Sequence, residues 1–332
     1  MSAAADALGT GRSGALVALQ RVQTLLLPGL LVAELVVFAV LSPRFLSPEN
    51  LANVAVNAAD VALIAAGLTV VVLMGGIDVS TGYAVGLISW FLATLTGGGA
   101  PGALTLLVAV VGGAVLGLLN GVLTARLAIP SIVATLGTSA VFQTLLFTLW
   151  DRQDLFSGPV LPALSGGSRV AGVPLLVVVV LAVYAVLHLV LVRTRTGRSV
   201  FAIGSNVEAA RLAGIDVRRV RLLGSLALGV LVGLAACTYL ARVGVVQASS
   251  GGELSLLAVA SVVVGGTSIL GGEGSVLRTL GGVVFIALLE NGIVLAGVPS
   301  LWNGLLVGCV ILLAVSVNGG VVLLRRRAGL AR

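Results

Sequence analysis

Ten long apolar segments, separated by glycines, prolines and arginines, constrain the fold of this chain more than any other feature. Each is 17 to 25 residues long, and a helix needs about 20 apolar residues to cross the hydrocarbon core of a bilayer. The pattern predicts an all-α polytopic membrane protein with about ten transmembrane helices. The segments cover residues 24–41, 58–75, 79–95, 103–127, 131–149, 173–192, 222–245, 254–270, 276–296 and 301–324.

The composition favours one membrane domain and leaves little chain for a soluble one. Only 9% of the 332 residues are charged and 58% are apolar, with a mean hydropathy of +1.19, whereas a soluble domain carries about 25% charged residues. The first apolar segment is longer than the core of a signal peptide, about 7 to 15 residues, so we expect it to remain as a span. We expect cytoplasmic tails at residues 1–23 and 325–332, with the membrane domain at residues 24–324.

The arginines predict the orientation of the chain. All 19 basic residues are Arg, and if the N-terminus is cytoplasmic, 15 of them fall on the cytoplasmic side. Cytoplasmic loops of membrane proteins carry an excess of Lys and Arg. We therefore expect both termini in the cytoplasm, the longest cytoplasmic loop at residues 193–221 and an external loop at residues 151–172.

Several function classes are excluded by features that the sequence lacks. It contains no Lys, so the phosphate-binding lysine of a P-loop is absent and the chain is not its own ATPase of that type. It has no HExxH motif, no G-x-S-x-G motif and no Cys/His spacing typical of a metal site. The net charge of +7 comes from arginines between apolar segments, not from a continuous basic face, so no nucleic-acid partner is expected. We expect no enzymatic activity, no metal and no bound cofactor.

Glycines recur at helical spacing in three of the apolar segments. Small residues four positions apart let helix backbones approach closely in a membrane. We therefore predict helix packing at these positions. They are Gly113, Gly117 and Gly121, the pair Gly229 and Gly233, and the pair Gly304 and Gly308.

The loop at residues 193–221 contains a predicted short helix. Ser205 and Glu208 have the spacing of a capping box, in which each satisfies the other's free backbone donor. Gly214 is a typical helix stop. The helix is either a solvated connector or a rigid surface through which a separate ATPase acts on a chain that cannot bind ATP itself. The candidate coupling residues are Ser205, Asn206, Glu208, Ala209, Arg211, Leu212 and Gly214.

Polar residues inside apolar segments are candidates for a translocation path, because they are costly in a membrane. The alternatives stay open: Asp78 is also a possible helix cap that bonds the amide of Ser80 or Thr81, and the others are possible bonds between helices. Two glycine pairs predict local helix breaks, which are tolerated where protein or water covers the backbone. The path candidates are Asp78, Ser80, Asn120, Glu290 and Asn291, and the break glycines are Gly75, Gly76, Gly265 and Gly266.

Four segments, in order along the chain, resemble the ribose-type family of ABC importer permeases. The fourth departs from the lysine typical of the ribose member, since Glu273 follows its second Gly-Gly pair. Segments at residues 31–44 and 129–138 look more like the rhamnose and autoinducer-2 permeases. The four segments are residues 42–51 (SPRFL…NL), 75–82 (GGIDVSTG), 196–215 (TGRSVFAIGSN…ARLAGI) and 262–274 (VVVGGTSILGGEG).

The resemblance implies a permease subunit of the bacterial inner membrane that forms the path for a monosaccharide or sugar-like solute. It implies as partners a second permease subunit, identical or different, an ATPase subunit that binds Mg-ATP, and a periplasmic or lipoprotein sugar-binding protein. It also identifies residues 196–215 as the coupling loop. Two alternatives are an ion-coupled secondary transporter, in which an acidic residue carries protons, and a branched-chain amino acid permease.

Overall fold

The computed structural model describes residues 27–151, 154–158 and 168–299, and beyond them residues 302, 304–305, 308–310, 312–313 and 316. The predicted cytoplasmic tails and most of the tenth apolar segment lie outside the described residues. The chain divides into two compact units, one formed by residues 46–287 and the other by residues 1–45 and 288–332.

Each of the first nine apolar segments contains a helix, so the mainly helical fold is confirmed. Among the described residues, five helices are long and apolar enough to cross a membrane, and a sixth candidate is the pair α2 and α3, bent by 49°. The count of about ten spans stays a prediction. The helices are α1 (Leu27–Leu41), α2 (Pro48–Asn57), α3 (Ala59–Leu73), α4 (Thr81–Gly97), α5 (Gly102–Gly121) followed by a π-helical turn (Val122–Arg126), α6 (Ser131–Trp150), α7 (Leu175–Arg193), α8 (Arg195–Ser205), α9 (Val207–Leu212), α10 (Val217–Val243), α11 (Leu254–Val264) and α12 (Val276–Leu295).

Two pairs of very short strands connect helices. Strand β1 (Leu155–Phe156) pairs antiparallel with β4 (Val245–Val246), and β2 (Arg169–Val170) pairs antiparallel with β3 (Val173–Pro174). These strands lie in connections between helices, so they do not alter the helical fold class.

Helices α3 and α11 are too short to cross a bilayer alone. They contain 15 and 11 residues, or about 22 and 16 Å at about 1.5 Å per residue, against a hydrocarbon core of about 30 Å. Both end in a left-handed glycine, Gly75 at φ +77° and Gly266 at φ +79°. A helix therefore ends at each of the two glycine pairs.

The same hydrogen-bonding pattern closes both short helices. At the end of α3, the Gly76 N–H donates to the Val71 carbonyl and the Gly75 N–H donates to the Val72 carbonyl. This is a Schellman motif, which needs a residue at positive φ and therefore favours glycine. In α11 the left-handed position falls on the second glycine of the pair, because Gly265 still has helical φ.

Helix α10 packs against α5 and α3 through glycines. A side chain at Gly113 would overlap the backbone of Gly229 and Gly233, and one at Gly67 would lie 2.9 Å from the Leu228 Cα. Backbones come this close only where neither residue carries a large side chain. The predicted packing is confirmed for the glycines of α5 and α10.

The prediction is wrong for Gly304 and Gly308 within the described part of the chain. A Cβ at either position would meet no atom within 4 Å. Small residues allow two helices to approach, but they do not force an approach, and none of the described residues packs against these two glycines.

Two polar contacts fix the other end of α3. The Arg242 Nη2 lies 2.6 Å from the Asp60 Oδ2, and Asp60 is only 1% exposed. The Tyr184 hydroxyl of α7 donates to the Ala62 carbonyl at 2.9 Å. The buried carboxylate is tolerated because a guanidinium partner compensates its charge. Together these contacts hold α3 against α7 and α10.

Candidate functional site

The chain is not helical between α3 and α4, and we call residues 74–80 the first break. Side chains of α6 satisfy part of its backbone. The Ile77 N–H donates to the Ser131 Oγ at 3.1 Å, and the Val79 N–H donates to the Thr135 Oγ1 at 3.3 Å. The Thr135 hydroxyl also donates to the Ile77 carbonyl at 3.3 Å. Unwound backbone in a membrane requires such partners because lipid offers none.

Helix α11 supplies a further hydroxyl to the start of α4. The Ser255 Oγ donates to the Val79 carbonyl at 2.8 Å and accepts from the Gly82 N–H at 2.7 Å. The loop before α11 packs tightly here, since a Cβ at Gly82 would overlap the Gly251 carbonyl. The first break is therefore held by hydroxyl groups from two helices that are distant in sequence.

Three predicted path residues, Asp78, Ser80 and Asn120, form one buried hydrogen-bonded cluster. The Asp78 Oδ1 accepts from the Ser80 N–H at 2.9 Å and from the Ser80 hydroxyl at 2.7 Å. The Asn120 Nδ2 lies 3.0 Å from the Asp78 Oδ2 and 2.8 Å from the Ser80 Oγ. The carboxylate bonds the backbone amide two residues ahead, which is an Asx-type turn. The contact with the Ser80 amide matches the capping interpretation, while the bond to Asn120 joins α5 to the break.

The Asn120 side chain has one atom that no described residue satisfies. Its Oδ1 is fully buried and has no hydrogen-bond partner in the described chain, and the residue is 3% exposed. A buried acceptor left without a donor costs about 1 to 3 kcal/mol.

A cavity of about 340 Å³ opens beside this cluster. Its wall combines the first break, the π-helical turn after α5, the start of α6 and the first turns of α10. The polar lining residues are Asp78, Asn120, Thr124, Ser131, Thr135, Arg221 and Ser225, and the apolar ones include Val71, Met74 and Ile129.

The chain is also not helical at residues 265–275, which we call the second break. The Gly271 N–H donates to the Ser268 carbonyl, and the Ser268 N–H donates to the Glu273 carbonyl. Glycines at positive φ occupy positions 266, 271, 272 and 274. This segment is therefore a compact turn that satisfies much of its backbone from within.

Helix α8 contacts both breaks at one point. The Gly272 N–H donates to the Leu73 carbonyl at 2.9 Å. A Cβ at Gly204 would overlap both the Leu73 carbonyl oxygen and the Gly272 nitrogen, and a Cβ at Gly271 would lie 2.8 Å from the Gly75 nitrogen. We call Gly75, Gly204, Gly271 and Gly272 the glycine junction, since only glycine allows the three segments to meet there.

The predicted short helix exists as α9, and Gly214 ends it at φ +81°. The predicted capping box is wrong, because Ser205 is the last residue of α8 and its hydroxyl donates back to the Phe201 carbonyl at 2.9 Å. An N-cap needs an extended backbone, and Asn206 has it, so the Asn206 Oδ1 accepts from the Ala209 N–H at 3.0 Å. The Glu208 carboxylate instead lies 2.9 Å from Arg211.

The far side of α9 faces outward. Leu212 is 91% exposed, and the side chains of Glu208 and Arg211 are also largely exposed. Single exposed apolar side chains are common on protein surfaces, so the exposure of Leu212 does not by itself identify a partner.

The remaining two predicted path residues lie in the other compact unit. Glu290 and Asn291 lie on the part of α12 that belongs to the unit formed by the chain ends, and both are half-buried. No group of three or more His, Cys, Asp or Glu side chains that could hold a metal ion occurs among the described residues.

Sequence reasoning missed the hydroxyls that support the first break and three of the four junction glycines. Ser131 and Thr135 are four residues apart and so share one face of α6, which was a usable signal. The sequence contains no comparable signal for Ser255 and Gly204, because their partners are far away in the sequence.

Comparisons with known proteins identify the family of the chain. The family described as "Branched-chain amino acid transport system / permease component" matches residues 50–315. The ribose import permease protein of Escherichia coli (strain K12) is 33% identical over 305 residues, which cover 87% of this chain and 92% of the relative. A probable ABC transporter permease protein of the same strain is 35% identical over 315 residues and 92% of each chain.

A third relative is the autoinducer 2 import system permease protein of Enterobacter sp. (strain 638), which is 32% identical over 289 residues, or 85% of this chain and 82% of the relative. No solved structure matches the chain. Since the family covers most of the chain and three permeases exceed 30% identity over more than four fifths of it, the chain belongs to the branched-chain amino acid transport system permease family.

Proposed function

We propose that this chain is the membrane-spanning permease subunit of an ABC importer and forms the path for a monosaccharide or a sugar-like solute. Permeases named for ribose and autoinducer 2 are similar to it over most of its length. The observation that carries the proposal is the first break, an unwound and polar segment inside an apolar helical protein, beside a cavity lined by hydroxyls. Discontinuous helices of this kind form substrate sites in transporters.

Energy in this proposal comes from a separate ATPase subunit that binds Mg-ATP. The chain has no Lys for a P-loop. Helix α9 is the proposed contact, with Leu212 as its apolar anchor and Asn206 and Gly214 as the residues that define its ends. Through the glycine junction, a shift of α8 and α9 reaches the end of α3, a few residues from Asp78.

Transport in this proposal proceeds by alternating access, with Asp78, Ser80 and Asn120 at the path and Glu290 and Asn291 as further lining residues. A second permease subunit, identical or different, completes the assembly. A periplasmic or lipoprotein binding protein delivers the solute, so the path needs little selectivity of its own.

The proposed topology has ten spans, the membrane domain at residues 24–324, and both tails, residues 1–23 and 325–332, in the cytoplasm. In a chain without Cys237 and Cys309, a cysteine at Ser199 should react with a membrane-impermeant thiol reagent only after permeabilisation. A cysteine at Ser165, which lies outside the described residues, should react in intact cells. The reverse labelling pattern would show that the chain has the opposite orientation in the membrane.

Uptake by the reconstituted complex tests the function. The permease, its ATPase and its binding protein in liposomes should accumulate a neutral sugar when ATP is supplied. Uptake should persist when the proton and sodium gradients are dissipated. The Glu208→Ala and Gly214→Val variants should weaken the coupling between ATP hydrolysis and uptake. If uptake instead depends on an ion gradient while ATP is held constant, the chain is an ion-coupled secondary transporter and this proposal is wrong.

The branched-chain amino acid permease is the second candidate, because the matching family carries that description. Uptake of leucine and not of any sugar by the same complex would favour it. The relatives' names and the Gly-Gly-Thr-Ser-Ile-Leu-Gly-Gly string at residues 265–272 support the sugar assignment.

A further inference from the structure

The connection between α7 and α8 is a sharp and rigid corner. A single residue, Thr194, separates the two helices, and its hydroxyl accepts from the Gly197 N–H at 3.0 Å. A Cβ at Gly197 would overlap the backbone of Leu191, so the first turn of α8 packs directly on the last turn of α7. The direction in which α8 leaves α7 is therefore fixed by backbone contact.

Three arginines lie at this corner. Arg193 ends α7, Arg195 begins α8, and Arg198 follows one turn further along α8. All three are exposed. Neither of the two ion pairs found among the described residues includes any of these arginines. The corner therefore carries three positive charges that no described acidic side chain compensates.

An exposed apolar stripe on α7 leads to the same corner. Val186, Leu189 and Arg193 are three and four residues apart, so they share one face of the helix. Val186 is 60% exposed and Leu189 is 55% exposed, and α7 is long and apolar enough to cross a membrane. The stripe and the arginines thus form one continuous surface, apolar along the span and positive at its end.

An anionic phospholipid has the same two parts in the same order. Its acyl chains suit the apolar stripe, and its phosphate suits Arg, which binds phosphate through paired hydrogen bonds. Clusters of basic residues beside the end of a membrane-spanning helix attract anionic lipids. A zwitterionic lipid also carries an ammonium group, which the arginines repel, so this surface favours a headgroup with a net negative charge.

The ATPase subunit is the rival occupant, because Arg198 belongs to the segment that resembles the coupling loop. The continuity of the arginines with Val186 and Leu189 favours the lipid. An acidic protein surface would pair with the arginines and leave the apolar stripe of the span unused.

We propose that the corner between α7 and α8 binds an anionic phospholipid, with its phosphate held by Arg193, Arg195 and Arg198 and an acyl chain along Val186 and Leu189. The same helix α8 carries Gly204 of the glycine junction. A lipid bound at one end of α8 therefore stabilises the segment that contacts both breaks. This inference does not depend on the solute that the chain carries.

Competition between two lipids tests the proposal. The purified full chain in detergent is mixed with equal amounts of dioleoylphosphatidylglycerol and dioleoylphosphatidylcholine, and native mass spectrometry counts each bound lipid. The wild-type chain should bind phosphatidylglycerol severalfold more. The Arg195→Gln/Arg198→Gln variant should lose most of this preference, since each basic residue near an anionic headgroup strengthens the attraction. Millimolar inorganic phosphate should not displace the lipid, because it has no acyl chain.

Arg44→Gln/Arg169→Gln is the matched control, because it removes the same amount of charge. Both residues are exposed, Arg44 between α1 and α2 and Arg169 in β2. This variant should prefer phosphatidylglycerol as strongly as the wild-type chain does. The Tm of each variant in phosphatidylcholine shows whether it is folded.

Each of four other outcomes overturns the inference. Equal binding of the two lipids by the wild-type chain would show that the corner does not select an anionic headgroup. An equal loss of preference in the two double variants would show that net charge alone attracts the lipid. Displacement by inorganic phosphate would show a site for free anions. If the Arg195→Gln/Arg198→Gln variant keeps its lipid preference but no longer assembles with the ATPase in phosphatidylcholine, the surface belongs to the ATPase.

Discussion

The two breaks begin in the same way and are completed differently. Each follows a short helix that ends in a Schellman motif with a left-handed glycine. In the first break, the backbone bonds to side chains of α6 and α11, and a carboxylate, Asp78, lies at its centre. In the second break, the described bonds are made by backbone groups, and four glycines at positive φ shape the turn.

This difference separates two physical roles. The first break has its polar groups supplied by neighbouring helices, so a shift of α6 or α11 changes its hydrogen bonds. In the described structure the second break is closed largely by bonds within its own backbone, and it meets the end of α3 and the first break at the glycine junction, where shape decides the contact. The first is therefore sensitive to polar substitutions and the second to added volume. Four substitutions test this contrast, in order of decreasing expected effect.

The largest effect is expected for Gly204→Val at the junction that joins both breaks. The added side chain would overlap the Leu73 carbonyl and the Gly272 nitrogen, and overpacking of this kind costs about 1 to 3 kcal/mol or more. We expect most of the folded protein to be lost, measured as yield and Tm in detergent. Gly137→Val is the control, since nothing lies within 4 Å of a Cβ there. Equal yields for the two variants would show that the glycine junction is not needed for folding.

Asp78→Leu should have the next largest effect. It removes the acceptors for the Ser80 amide and for Asn120, each worth about 1 to 3 kcal/mol when buried. We expect loss of most ATP-dependent uptake. Asp78→Asn should retain substantial uptake, because the amide oxygen still accepts from the Ser80 N–H and from the Ser80 hydroxyl. If Asn abolishes uptake in an assembled complex while Glu preserves it, ionisation of Asp78 is required.

Thr135→Val should have an intermediate effect. The isosteric side chain leaves the Val79 N–H of the first break without its hydroxyl partner, at a cost of about 1 to 3 kcal/mol. We expect a lower Tm and weaker uptake, both largely restored by Thr135→Ser. A Tm equal to that of the wild type would show that the break does not depend on α6.

Ser268→Ala in the second break should have the smallest effect. In the described structure Ser268 bonds through its backbone N–H and carbonyl, both of which alanine keeps. We expect a change within about 0.5 kcal/mol, as for ordinary surface substitutions, measured as Tm beside Thr135→Val. A loss as large as that of Thr135→Val would erase the contrast between the two breaks.

Much of the fold was predictable because its signals are local. The length of the apolar segments predicted the long helices. The two Gly-Gly pairs predicted where α3 and α11 end, because a Schellman motif depends on only a few consecutive residues. The cap of α9 was mispredicted by one position. Both Ser205 and Asn206 are good N-cap residues, and only the end of α8 decides which of them is extended.

The candidate site was predictable in part. Asp78, Ser80 and Asn120 were selected as costly polar residues in apolar segments, and the structure brings them together. Nothing in the sequence joined Asn120 to Asp78, which lie 42 residues apart. The roles of Ser255 and Gly204 depend on partners from distant helices, so no local sequence pattern predicted them.

The sequence by itself determined that this chain enters a membrane, where its long apolar helices run, and where two of them stop, because hydropathy, glycine conformation and charge act over a few residues. The tertiary structure alone decided which hydroxyls satisfy the first break, which acceptor is left without a donor and which glycines touch. Those contacts join residues from distant segments, and their free energy depends on helix packing, which no short stretch of sequence contains.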